Sequence, residues 1–180
     1  YHAVTVKAER RFDGRSSFNV AYTLSKSTDD ASSPGATTFE SNVPQDVRNI
    51  FPGEHALSSF DHRHRFVASG SYQFPLFEGA GGATEAVAGG WRVNAVVTVQ
   101  SGAPFTGNLG QDRANSGSGP AQRPNQIGDP TLSAGQRSAE QWFNTAAFAL
   151  QAPFTFGSAG RNSVFAPGLA NVDLSIVKGW

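Results

Sequence analysis

At 180 residues the chain is long enough for one domain with a sizeable core, yet only 38% of it is hydrophobic; glycine (20) and phenylalanine (14) are plentiful while leucine and isoleucine are scarce. Fourteen basic residues against fourteen acidic ones give a formal net charge of zero, so no long-range field points to nucleic acid. The absence of cysteine excludes disulfide staples and thiolate metal sites, and no stretch approaches the roughly 18 apolar residues of a spanning helix, a test that spanning strands of about 9 to 11 residues escape.

The chain has no methionine, and Tyr1 already stands inside an alternating run, so an internal piece of a longer protein is expected. From 1 to 11, His2, Val4, Val6, Ala8 and Arg10 alternate with Ala3, Thr5, Lys7, Glu9 and Arg11. A period of two is the signature of a strand with one apolar and one wet face. From 16 to 27, Phe18, Val20, Tyr22 and Leu24 stand against Asn19, Ala21, Thr23 and Ser25. Asp13-Gly14 between these runs is a hairpin signal, and keeping even positions opposite even ones requires an odd loop. The parity predicts a three-residue turn, Phe12-Asp13-Gly14, with Gly14 left-handed.

Periodicity vanishes from 28 to 61, where Ser, Asp, Pro and Gly dominate. It returns from 62 to 74, with Phe66, Ala68, Gly70, Tyr72 and Phe74 against Arg65, Val67, Ser69, Ser71 and Gln73. A Gly-rich turn follows from 75 to 90. The run from 91 to 101 sets Trp91, Val93, Ala95, Val97 and Val99 against Arg92, Asn94, Val96, Thr98 and Gln100. Pairing Phe74 with Trp91 would bring both apolar rows to one side. A second long loop spans 102 to 169, in which Ser138 to Ala147 reads as a short helix capped by Ser138 with Gln141 reaching back. The last run, 171 to 180, alternates Val172, Leu174, Ile176 and Lys178 with Asn171, Asp173, Ser175 and Val177.

Connections therefore alternate between short and very long. The fold expected is all-β: an antiparallel up-and-down meander of about five strands, an open segment of a large transmembrane β-barrel with two long extracellular loops. In that arrangement Val4, Val6, Val20, Tyr22, Leu24, Phe66, Tyr72, Phe74, Trp91, Val93, Val97, Val99, Val172, Leu174 and Ile176 face lipid. Lys7, Glu9, Arg11, Arg65 and Arg92 face the lumen. Aromatics gather at the short-turn end (Phe12, Phe74, Phe77, Trp91), as an interfacial girdle requires. A secreted carbohydrate-binding β-sandwich would also alternate, with shorter loops and a more charged polar face.

Several ordered strings carry a family resemblance: SFNVAYTLSKSTDD (17–30), FDHRHRFVASGSYQFP (60–75), GGWRVNAVVTVQSGAPFT (89–106), WFNTAAFA (142–149) and FGSAGRNSVFAPGLANVDLSIVKGW (156–180). Together they resemble the barrel region of Oar-like TonB-dependent receptors. The resemblance implies residence in the outer membrane of a diderm bacterium, in contact with lipid and lipopolysaccharide. It also implies a barrel of about 22 strands, an N-terminal plug in the same full-length chain, a TonB-type motor protein reaching the plug, and energy-coupled uptake of a ligand. This chain would be a wall segment, and Trp180 a truncation point; a terminal aromatic that signals barrel assembly is the competing reading. An adhesion or export barrel without import activity is the functional alternative.

Other motifs carry less. His62 and His64, two apart on one strand face, lack an evident third metal ligand and are expected at the outer interface. Asp29, Asp30, Glu40 and Asp46 match no calcium-loop spacing and read as a solvated loop. The glycine run from 79 to 90 lacks the Gly-Lys-Ser/Thr ending of a phosphate loop and shows no following helix. With no nucleophile elbow and no placed carboxylate pair, neither an enzyme nor a cofactor is expected. Phe39, Phe51, Trp142 and Phe143 in the long loops are the candidates for ligand recognition.

Overall fold

The computed structural model describes residues 1–12, 15–32, 44–50, 53–76, 79, 81–117 and 121–179. The chain divides into a sheet unit (Ala3–Ser25, Arg63–Ser101 and Gly168–Trp180) and a loop unit (Tyr1–His2, Lys26–His62 and Gly102–Pro167).

The sheet unit carries one five-stranded sheet. Its strands are β1 (His2–Phe12), β2 (Ser16–Lys26), β5 (His64–Gln73), β6 (Trp91–Gln100) and β11 (Leu169–Lys178), in the order β1-β2-β5-β6-β11. The paired strands are antiparallel, so the architecture is the all-β meander of an open barrel segment. Registers run without a slip: Val20, Ala68, Val97 and Val172 form one rung across four strands, and Tyr72, Val93 and Ile176 another. Phe74 N–H donates to Trp91 O at 2.9 Å, which extends the pairing of β5 with β6 to the residues where alternation requires it.

The first hairpin differs in detail. Phe12 closes β1 and Arg15 N–H donates to Phe12 O at 3.0 Å, so residues 13 to 15 intervene rather than 12 to 14. Parity is nonetheless kept, because the odd-numbered Thr5 and Thr23 meet on one face through their hydroxyls at 3.0 Å. Asp13 and Gly14, and with them the left-handed glycine, lie outside the described residues.

The glycine-rich link between β5 and β6, read as helix-free, contains a short helix, α1 (Gly82–Ala88). The alanine-rich segment from 83 to 88 favours helix, and Gly89 N–H closes it on Glu85 O at 2.9 Å. Gly90 then enters β6 at φ 73°, close against the end of β11: a Cβ there would strike Gly179 O, whose own N–H donates to Gly90 O at 2.9 Å.

The loop unit is not structureless. It holds three two-stranded pairs: β3 (Thr28–Asp29) with β4 (Ala56–Leu57), β7 (Pro104–Phe105) with β10 (Val164–Phe165), and β8 (Asn125–Gln126) with β9 (Phe148–Ala149). The helix expected over Ser138 to Ala147 does not form. Ser138 Oγ does cap Gln141 N–H at 3.1 Å, but Asn144 Oδ1 accepts from Ala146 N–H and starts a separate 3-10 turn at Thr145–Ala147. Trp142 Nε1 meanwhile donates to Phe165 O at 2.9 Å, holding that side chain outside any helical stack. Asparagine competes with helical hydrogen bonding in this way wherever it finds a local backbone partner.

Among the described residues, the buried hydrophobics Ala121, Ala147, Ala159 and Val164 all belong to the loop unit, beside ten buried polar or charged residues. None of the described sheet residues between Ala3 and Ser25, Arg63 and Ser101, or Leu169 and Gly179 is a buried hydrophobic. The sheet therefore has two faces and no core of its own.

Candidate functional site

Register decides which side chains share a face. Val4, Val6, Val20, Tyr22, Leu24, Phe66, Tyr72, Val93, Val97, Val99, Val172, Leu174 and Ile176 occupy even positions of β1, β2, β5 and β11 and odd positions of β6, and the pairing brings these rows to the same side. Phe74 and Trp91 continue them. Leu174 (70% exposed), Ile176 (68%) and Val4 (65%) stand open, so this face presents a mainly apolar surface.

Cations interrupt that face: Arg10 lies over the Phe12 ring at 4.2 Å, and Lys26 and Lys178 stand in the same rows. Lys178, opposite Trp91 in the register, runs its stem past the indole (5.4 Å from Nζ to the ring centroid) and donates to Gly89 O at 2.8 Å. The charge thus reaches the hairpin backbone at the sheet end while its methylenes stay with the apolar row. Aromatic pairs mark the same end: Phe12 with Phe18 (6.1 Å) and Tyr72 with Phe74 (5.0 Å). Phe77 lies outside the described residues. At the opposite end Tyr22 Oη and His64 Nδ1 are 2.8 Å apart, which gives His64 a polar partner on the apolar row.

The other face is wet. Arg65 pairs with Thr23 and Gln100, Arg92 donates to Gln73 Oε1 at 2.8 Å, and Asn94 Nδ2 donates to Ser175 Oγ at 3.0 Å. Arg11 and Glu9 form an exposed pair at 3.4 Å, and Lys7 stands in the same row two residues on. A cleft of about 660 Å³ opens here beside α1, lined by Gln73, Glu85, Ala86, Arg92 and Val177 among others.

The loop unit is organised by two ion pairs that no local pattern reveals. Glu54 accepts both Arg123 Nη groups (2.7 and 3.0 Å), with both side chains more than nine-tenths buried. Gln45 closes a ring around them: its N–H donates to Glu54 Oε1, its Oε1 accepts from Arg123 N–H, and its Nε2 donates to Gly157 O. Gly157 must be glycine for this approach, since a Cβ would overlap the Arg123 and Pro124 backbone. The second pair joins Arg161 to Asp29, and Arg161 Nε also donates to Glu54 O at 2.9 Å, so the two pairs share one residue.

Burial pushes the Asp29 carboxyl up, but hydrogen bonds with Ser58, Arg161 and Ser32 and the guanidinium charge outweigh it and hold it below the ordinary 3.8. A lowered carboxyl contributes stability that is complete above its unfolded value and lost as pH falls through its folded one. Proteolytic resistance of the loop unit is thus expected to hold from neutral pH to about pH 4 and to fall below it. Asp29→Asn should weaken resistance at neutral pH and shrink the acid step; an acid step of unchanged size would refute the assignment. Asp112 and Asp129, held low by backbone N–H groups of Gly117 and of Thr131 respectively, supply the remainder.

The acidic residues read as a solvated loop are therefore engaged: Asp29 with Arg161, Asp30 with His55 at 2.8 Å and Asp46 with Arg48 at 3.5 Å. Glu40 lies outside the described residues. Among the described residues no three His, Asp or Glu side chains converge as a metal site would require. Of the loop aromatics, Phe39 and Phe51 lie outside the described residues, while Trp142 and Phe143 are brought into one cluster. Phe143 packs edge-on against Phe105 (5.8 Å) and Phe148 (6.2 Å), and Arg137 lies over the Trp142 ring at 5.3 Å. A cleft of about 180 Å³ borders this cluster.

No curated protein and no solved structure matches the chain. One protein family does: the outer membrane beta barrel domain matches residues 1–180, the whole chain. A sheet with one apolar and one polar face and no interior, flanked by long polar excursions, is what a segment of such a wall requires, because spanning strands alternate between lipid and lumen. The chain belongs to the outer membrane beta barrel domain family and localises to the outer membrane.

Proposed function

We propose that the chain is a wall segment of a TonB-dependent receptor that takes up a ligand with energy supplied from the inner membrane. The observation that carries this reading is the pairing of Oar-like strings along the chain with the two-faced sheet: the row from Val4 to Ile176 meets outer-membrane lipid, and Lys7, Glu9, Arg11, Arg65 and Arg92 line the lumen. Within this reading those lumen-facing residues contact a plug domain of the same full-length chain. Ligand capture falls to the loop unit, whose Trp142 and Phe143 are held in a fixed cluster rather than on free loop tips. The role is non-catalytic and needs no cofactor; chemistry is replaced by binding and motion.

Capture of the full-length parent protein by the periplasmic domain of a TonB-type motor protein, from detergent extract, is the expected result. Absence of capture, with the parent correctly inserted, would sink the import reading and leave a surface adhesion or export barrel.

A further inference from the structure

We propose that the cleft bordering Trp142 is a binding site for a small ring-bearing monocarboxylate. The inference rests on the reading of the loop unit as the ligand-capturing part of a receptor and deepens it. Leu132, Trp142, Phe143 and Phe165 supply an apolar lining to a volume of about 180 Å³. An apolar cavity of roughly 150 Å³ holds a benzene ring, so this one admits a single ring with a short acidic arm and little more.

Two polar groups at the same cleft specify what the ring carries. Arg137 donates Nε to Leu132 O at 2.9 Å and stacks its guanidinium on Trp142, and it forms no ion pair among the described residues. Its charge is held in place without being neutralised, and a planar guanidinium fixed in this way matches a carboxylate in two parallel hydrogen bonds. Ser163 also lines the cleft, and its Oγ is buried without a hydrogen-bond partner. Buried hydroxyls are mostly hydrogen-bonded, so this one is available to a polar group that enters the cleft. The indole is already committed to Phe165 O, which fixes the Trp142 plane as a wall of the cleft. A neutral sugar would use the ring face and the hydroxyl but leave the guanidinium unanswered.

The test uses the full-length parent protein folded in detergent, with 4-fluorophenylacetate as probe and fluorine NMR as readout. Saturable line broadening, reversed by excess phenylacetate, is expected; the neutral 4-fluorophenylacetamide should bind about tenfold more weakly, the worth of a charge-assisted pair. Arg137→Gln should weaken the acid by about tenfold and leave the amide unchanged. Ser163→Ala should weaken both by a few-fold. Should Arg137→Gln fail to fold, Arg137→Lys, which keeps the charge without the planar fork, is expected to lose affinity by a few-fold for the acid alone. Equal binding of acid and amide, broadening that excess phenylacetate does not reverse, or an unchanged affinity in the folded Arg137 variant would overturn the proposal. Motor-protein capture of the same preparation separates the outcomes: capture without probe binding removes this ligand class alone, and loss of capture removes the receptor reading.

Discussion

Val97→Arg is expected to destabilise the parent barrel by about 2–4 kcal/mol, while Val96→Arg, one residue away, is tolerated. Val97 sits in the rung Val20, Ala68, Val97, Val172 on the apolar face, and Val96 in the rung Asn19, Ser69, Val96, Asp173 on the wet one. An arginine on the lipid side near the membrane midplane costs about 2–4 kcal/mol, whereas one on the lumen side meets water and neighbouring polar groups. A cost of that size against a typical total stability of about 5–15 kcal/mol displaces the folding midpoint measurably. Urea titration in lipid vesicles, read by the heat-sensitive gel mobility of folded barrels, measures both variants. Equal effects, or the larger effect at Val96, would mean that the sheet does not separate lipid from lumen as the register implies.

The second large effect belongs to the loop unit. Arg123→Met should destabilise it by about 3–5 kcal/mol, because Glu54 would then be a buried carboxylate with its bidentate partner gone. The double change Glu54→Gln with Arg123→Met should recover much of that loss, since the penalty lies in the orphaned charge rather than in the missing attraction. Limited proteolysis of intact cells or of the detergent-folded parent reads the loop unit directly. A double variant no better than the single one would show that the ring through Gln45 and Gly157, not charge burial, sets the stability.

The contrast between these two predictions follows what each part of the sequence displays. In the sheet parity assigns most residues to a face, so Phe66 against Val99 and Tyr72 against Val93 were readable from two alternating runs and one turn. Strand identity lay in local order, and the apolar rows needed no partner to be recognised. The loop unit is built the other way. Glu54 gives no local hint of Arg123, nor Asp29 of Arg161, and polar residues that looked solvated are the interior. The clue available was the arrangement of single charges among Gly, Pro and Asn over two stretches too long for ordinary connections. Trp142 and Phe143 were legible as unusual exposed aromatics; their assembly with Arg137 and Ser163 was not, because the helix expected there gives way to the Asn144 cap. The helix α1 was hidden by flanking glycines, although the alanines between them favoured it.

Sequence separation within the ion pairs has a kinetic consequence. Glu54 and Arg123 are 69 residues apart and Asp29 and Arg161 are 132 apart, while the hairpin of β1 and β2 closes over a handful. Closing such distant contacts is slow relative to zipping neighbouring strands. During secretion, the loop unit cannot lock until residue 161 has been delivered, and Glu54 waits hydrated and unpaired throughout that interval.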